Sequence, residues 1–237
     1  MKKKGFTLTE ILLTLGIIGL IGMLVAPTLS RTYSEAERKA KVQKVYEILQ
    51  SAALKSTSND SDMVVFAGTT AINTYRGIEL WFDTYLNPYI VTQRVCRIVS
   101  GSRKSGCWSD TEQTKNYSGA GFGTLYRAGQ GLASYEYISA VLNDGIFISI
   151  SSWDSVQFPR LTGHPATGKN DIVAHFDING NKGPNKVGED VFVIYWDDDK
   201  KAFFPAYEGA SEEEINKFCD SKESDVFSGS SCIQKYL

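Results

Sequence analysis

Glu10 is the sole ionisable side chain between Phe6 and Ala26, a run of about 21 residues that is otherwise apolar, glycine or hydroxyl-bearing. At the centre of a membrane helix a carboxylate costs on the order of 2.5–3.5 kcal/mol, less towards an end, and usually marks function. The other groups able to do chemistry are sparse. His164 and His175 are the two histidines, and no H-E-x-x-H, G-x-S-x-G, phosphate-loop or C-x-x-C pattern accompanies them. Structural histidines, and no enzyme, are the expectation. Asp197-Asp198-Asp199 followed by Lys200-Lys201 reads as a charged turn, and Glu212-Glu213-Glu214 as the start of a solvated helical turn. Trp81, Trp108, Trp153 and Trp196 suit core packing better than a sugar-stacking platform.

One loop has metal-ligand spacing. Asp177, Asn179 and Asn181 alternate as at the start of a calcium loop, with Asp190 further on. Lys182 stands where an EF-hand needs glycine, and Gly188 where it needs the bidentate glutamate. A tight turn that uses Asn and Gly for their tolerance of positive φ is the competing reading. Four cysteines, Cys96, Cys107, Cys219 and Cys232, all follow the apolar run. An even count in a part that is exported suggests disulfides. Three pairings are open, of which local closure, Cys96 with Cys107 and Cys219 with Cys232, is the expectation.

These groups need elements to position them. The net charge of -2 gives no bulk attraction for nucleic acid. The Phe6–Ala26 run spans about 30 Å as a helix, the thickness of a bilayer core. As a secretory signal it fits badly, because cleavage after Ala26 puts Leu24 at a small-residue position and Pro27 after the cut. Gly16, Gly19 and Gly22 recur every third residue and suit close helix packing. Pro27 removes a backbone donor and should kink or loosen the helix. Beyond it, Val42, Val45, Tyr46, Leu49, Ala52 and Ala53 form one apolar stripe at helical spacing. A short helix, or a turn plus helix, is expected with Leu80, Trp81, Tyr85 and Leu86 on one side, and loops over 97–134. One hairpin should turn at Asn143-Asp144-Gly145, and a second should pair strands near Ile172–Ile178 and Val191–Trp196.

Gly5-Phe6-Thr7-Leu8-Thr9-Glu10, a basic leader of Lys2, Lys3 and Lys4 ending in glycine, and the late Pro27 together resemble the N-terminus of type IV pilins and type II secretion pseudopilins. The resemblance covers residues 1–30. It implies cleavage by a prepilin peptidase between Gly5 and Phe6, followed by methylation of the new Phe6 amine. An amine there has a reference pKa of about 7.7–8.0 and is a natural counter-ion for Glu10. Glu10 then pairs either with the amine of a neighbouring subunit or with that of its own helix, one turn away. The pattern Asp177-x-Asn179-Gly180 through Pro184-Asn185 to Gly188-x-Asp190 is similar to one in the heads of pilin-like proteins, and the Cys219 to Cys232 stretch resembles their disulfide-bounded loop.

The implied fold is α+β: a long N-terminal helix, transmembrane in its first half and amphipathic in its second, packed on an antiparallel sheet head. The implied organisation is a leader over 1–5, a membrane or filament-core half over 6–28, an amphipathic half over 29–57 and the head over 58–237. The implied function is a pilus or minor-pilus subunit, or alternatively a secretion pseudopilin. An ordinary membrane-anchored exported domain is the rival from another class. Expected partners are copies of itself and other pilins, the peptidase and an inner-membrane assembly platform. The expected location is the inner membrane and then a periplasmic or surface filament, with Ca2+ as the one candidate cofactor.

Overall fold

The computed structural model describes residues 7–59, 75–96, 107, 137–153, 155–167, 171–180, 182–219 and 227–237, with the side chains at 19, 21–33, 75, 76 and 137 outside that description. Two compact units divide at Ala40 and Lys41.

The first unit contains the start of helix α1 (Leu8–Asn59), whose helical backbone continues without a break past Pro27. Its first turn is closed by a reciprocal cap. Thr7 Oγ1 accepts from the Glu10 backbone N–H at 3.2 Å, and a Glu10 carboxylate oxygen accepts from the Thr7 N–H and hydroxyl at 2.8 Å each. Among the described residues no helix is long and apolar enough to cross a membrane. The expectations of a transmembrane first half, of membrane insertion and of an inner-membrane location are corrected accordingly. Gly5 and Phe6 lie outside the described residues, as do any side-chain contacts at Gly19, Gly22 and Pro27.

The second unit is α+β. Six antiparallel strands run in sequence order: β1 (Thr92–Cys96), β2 (Tyr137–Leu142), β3 (Phe147–Ser152), β4 (Ile172–Asp177), β5 (Val191–Asp197) and β6 (Ala202–Pro205). One face of the sheet is covered by the later part of α1 and by α2 (Tyr75–Tyr85). Val42, Val45, Leu49, Ala52 and Ala53 are buried in one core with Ile148, Ile150, Phe176 and Ile194. Trp81 of α2 meets Trp196 of β5 edge to face at 5.5 Å. Within α2 the buried residues are Ile78, Trp81, Phe82 and Tyr85, while Leu80 is 38% exposed, so the expected grouping of Leu80 with Trp81 is corrected. The i, i+3, i+4, i+7 spacing from Ile78 defines that face.

The other face is covered by α3 (Gln157–Thr162) and a 3-10 turn over Ser230–Lys235, on which α4 (Glu212–Cys219) packs. Phe158 packs on Tyr195, and Trp153 on Phe227, in the same core. Cover on both sides explains why β4 and β5 are buried at every residue and read as near-continuous apolar runs, interrupted within β4 by His175, not as alternation.

The β2–β3 turn falls at Asn143-Asp144-Gly145, with Gly145 at φ 82 and the Leu142 N–H donating to the Ile146 carbonyl at 2.9 Å. Lys44 of α1 pairs with Asp144 there at 2.6 Å. Two strands, β1 and β6, escaped sequence analysis. Disulfides join Cys96 to Cys107 and Cys219 to Cys232.

Candidate functional site

Two places gather the groups singled out by sequence. The first is the start of α1. Thr7 and Glu10 sit three residues apart, so the helical first turn brings a hydroxyl and a carboxylate together. The hydrogen bonds from Thr7 hold the Glu10 carboxyl below the usual carboxylate range, which keeps it anionic near neutral pH. Those bonds use Oε2 and leave Oε1 to a further partner. Thr7 is the residue sequence analysis passed over: T-x-x-E before an apolar run is itself a helix-start signature. Around this acid, Leu8, Ile11, Leu12, Leu13, Leu15, Ile17, Ile18 and Leu20 stand 45–74% exposed. Gly16 has open space where a Cβ would point, so the helix surface there is free for a close approach.

The second is the loop joining β4 to β5. β4 ends at Asp177, which is 0% exposed, and β5 begins after Asp190, which is 3% exposed. Asp177 Oδ1 accepts from the N–H groups of Asn179 and Gly180 at 2.9 Å each. Asp190 accepts from Asn185 N–H at 2.9 Å and from the Asn179 side-chain amide at 3.1 Å on Oδ2, and from Lys186 N–H at 2.6 Å on Oδ1. Asn179 therefore bridges the two acids. The loop turns tightly against its surroundings: a Cβ at Gly180 (φ +64) would lie 2.7 Å from the Gly145 carbonyl.

Burial pushes the Asp177 carboxyl up to about 8, and the negative Asp190 nearby adds to the rise. Asp190 is also raised by burial, against its hydrogen bonds. Asp177, Asn179 and Asp190 are thus brought together as the spacing suggested. Asn181 lies outside the described residues. The backbone N–H groups of Asn185 and Lys186 complete the loop, and spacing of side chains alone gave no sign of them. Among the described residues no cluster of three His, Cys, Asp or Glu side chains is placed to hold a metal.

The remaining candidates lie apart from these two places. His175 lies within β4 at 1% exposure, and burial pushes its imidazole down to about 3, so it stays neutral. His164 stacks on Tyr195 at 4.7 Å. Trp81 and Trp196 are core residues, Trp153 is partly buried, and Trp108 lies outside the described residues. Asp197 accepts from the N–H groups of Asp199 and Lys200 at about 3 Å, and Lys201 pairs with Asp198 at 3.0 Å, which makes this run the charged β5–β6 turn.

Comparison with protein-family models, with curated proteins and with solved structures finds no match to this chain.

Proposed function

We propose that the chain is a non-enzymatic filament subunit of the prepilin type, cut between Gly5 and Phe6 and assembled with copies of itself and related subunits through α1. The observation that carries this reading is the uncovered apolar surface from Leu8 to Leu20, headed by a single anionic group. Apolar side chains on all sides of a helix demand cover. Burying each one contributes about 1.5–3 kcal/mol, so full cover of eight is worth roughly 10–20 kcal/mol. Packed neighbouring helices supply that cover at every subunit. Glu10, with Oε1 left over from the cap, then meets the positive Phe6 amine that cleavage exposes. A type IV pilus and a type II secretion pseudopilus both use such a subunit, and the chemistry of α1 is common to them.

The first test is the mass of the mature protein, expected to begin at N-methyl-phenylalanine from Phe6; a product retaining Met1 overturns the reading. The second separates charge from capping at Glu10. Glutamine also closes a capping box, so Glu10→Gln should keep the first turn and be cleaved normally, yet fail to enter fibres. Glu10→Ala should lose both the cap and incorporation. Normal incorporation of Glu10→Gln would reduce Glu10 to a capping residue.

A further inference from the structure

We propose that the groove between the later part of α1 and the β1 end of the sheet receives α4 of a second copy of this chain, laid antiparallel to α1. The groove has a volume of about 570 Å³. Lys44, Ile48, Ser51 and Lys55 form its helical wall, and eleven residues at a rise of about 1.5 Å make that wall roughly 16 Å long. Opposite stand Tyr89, Val91 and Leu142, and Val91 is 72% exposed. One end of the groove is neutral, because the Lys44 ammonium is taken by Asp144 at 2.6 Å. The other end carries Lys55, and Glu47 stands on the rim about 12 Å back along the helix. Neither makes an ion pair among the described residues. An unpaired cation and an unpaired anion along one wall call for a partner of inverse charge order.

The chain carries that order on the far side of its own sheet. α4 packs on the 3-10 turn over Ser230–Lys235, which covers the face away from α1. The Glu214 carboxylate is spent on a cap, accepting from the Ser211 N–H at 3.0 Å and hydroxyl at 2.9 Å. Glu213 and Lys217, one turn apart, are exposed and make no ion pair among the described residues. Set antiparallel to α1, α4 brings Glu213 to Lys55 and Lys217 to Glu47. Backbone positions one turn apart on α4 are about 6 Å from each other, against about 12 Å in the groove, and four long side chains span the difference. The groove and α4 lie on opposite sides of one head, so a molecule cannot fill its own groove. A contact between unlike surfaces is heterologous and leaves one groove and one α4 open at the ends, so it propagates an open assembly. The exposed apolar part of α1 supplies the affinity, and charges matched between heads set the register and reject wrong alignments.

This contact deepens the filament reading and rests on it. Its test treats fibres of the full chain with a water-soluble carbodiimide, which joins a carboxyl to a touching amine with no spacer. Peptide mass mapping should find Lys55 of one subunit joined to Glu213 of the next. Lys55→Glu should remove that link and cut fibre yield at least about tenfold, and Glu213→Lys alone should do the same. The two changes in one chain should restore the yield, since every contact then regains opposite charges. All three variants should keep the wild-type unfolding midpoint, because both side chains are exposed. Wild-type fibres without the link, Lys55→Glu fibres at full yield, or a double variant no better than the singles overturn the contact and leave the filament reading standing. A wild-type chain that keeps Met1 or forms no fibres overturns both.

Discussion

Gly188 and Gly209 both have positive φ, +88 and +75, but only Gly188 is crowded. A Cβ at Gly209 meets open space, whereas at Gly188 it would lie 2.6 Å from Cys232 Sγ and 3.1 Å from the Gly229 carbonyl. Backbone strain for a non-glycine residue in this region is about 1–2 kcal/mol at either site. The excess at Gly188 is a steric cost against a disulfide sulfur and a backbone oxygen, neither of which can swing aside. Gly209→Ala should therefore lower stability by about 1 kcal/mol, and Gly188→Ala by about 3 kcal/mol or more, in urea unfolding. Equal losses would show that the C-terminal segment yields to the intruding methyl. At this scale sequence is a partial guide. The D-x-N spacing located Asp177 and Asn179, but nothing in the letters states that Asp177 is wholly buried or that Asn179 spans both acids. Those facts come from the β4 and β5 ends meeting, a long-range event.

Among elements, β6 shows why a strand can go unread. Its four residues, Ala202–Pro205, sit on the sheet edge, and the run is too short for alternation to register. The edge is finished by a side chain instead of another strand. Gln50 of α1 accepts from the Phe203 N–H at 3.2 Å through its carbonyl and donates to the Phe203 carbonyl through its amide, mimicking a backbone partner. Gln50→Ala should leave the Phe203 N–H unpaired, while the Phe203 carbonyl keeps the Tyr46 hydroxyl at 3.2 Å, costing about 1–3 kcal/mol. The Phe203 amide should then lose protection from hydrogen exchange while Val193 and Ala174 keep theirs; unaltered protection at Phe203 would contradict the role given to Gln50. By contrast, the stripe from Val42 to Ala53 and the Asn143-Asp144-Gly145 turn were plain in the sequence, because helical spacing and turn chemistry are local. β1 was missed because its partner β2 lies more than forty residues on. The membrane half of α1 was expected from hydrophobicity over a fixed length. Neither that length criterion nor the family resemblance reads the T-x-x-E cap that gives Glu10 a local partner.

For the whole molecule, the chain divides into two compact units at Ala40 and Lys41. The buried stripe begins at Val42, and every buried hydrophobic residue among those described lies at or beyond it. The exposed apolar side chains of α1 cluster between Leu8 and Leu20, far from that stripe in sequence. A chain beginning at Ala36 keeps the stripe, both disulfides and the loop from Asp177 to Asp190. It should unfold in one cooperative transition with a midpoint within a few degrees of the full chain, since none of the described residues deleted belongs to the buried core. Its association should differ completely. Eight exposed apolar side chains amount to roughly 10–20 kcal/mol of burial if covered, enough to drive assembly even after the entropy of association is met. Sedimentation should find the shortened chain monomeric at concentrations where the full chain forms large species. If the shortened chain assembles equally well, the contacts lie in the second unit and the role proposed for the exposed part of α1 fails.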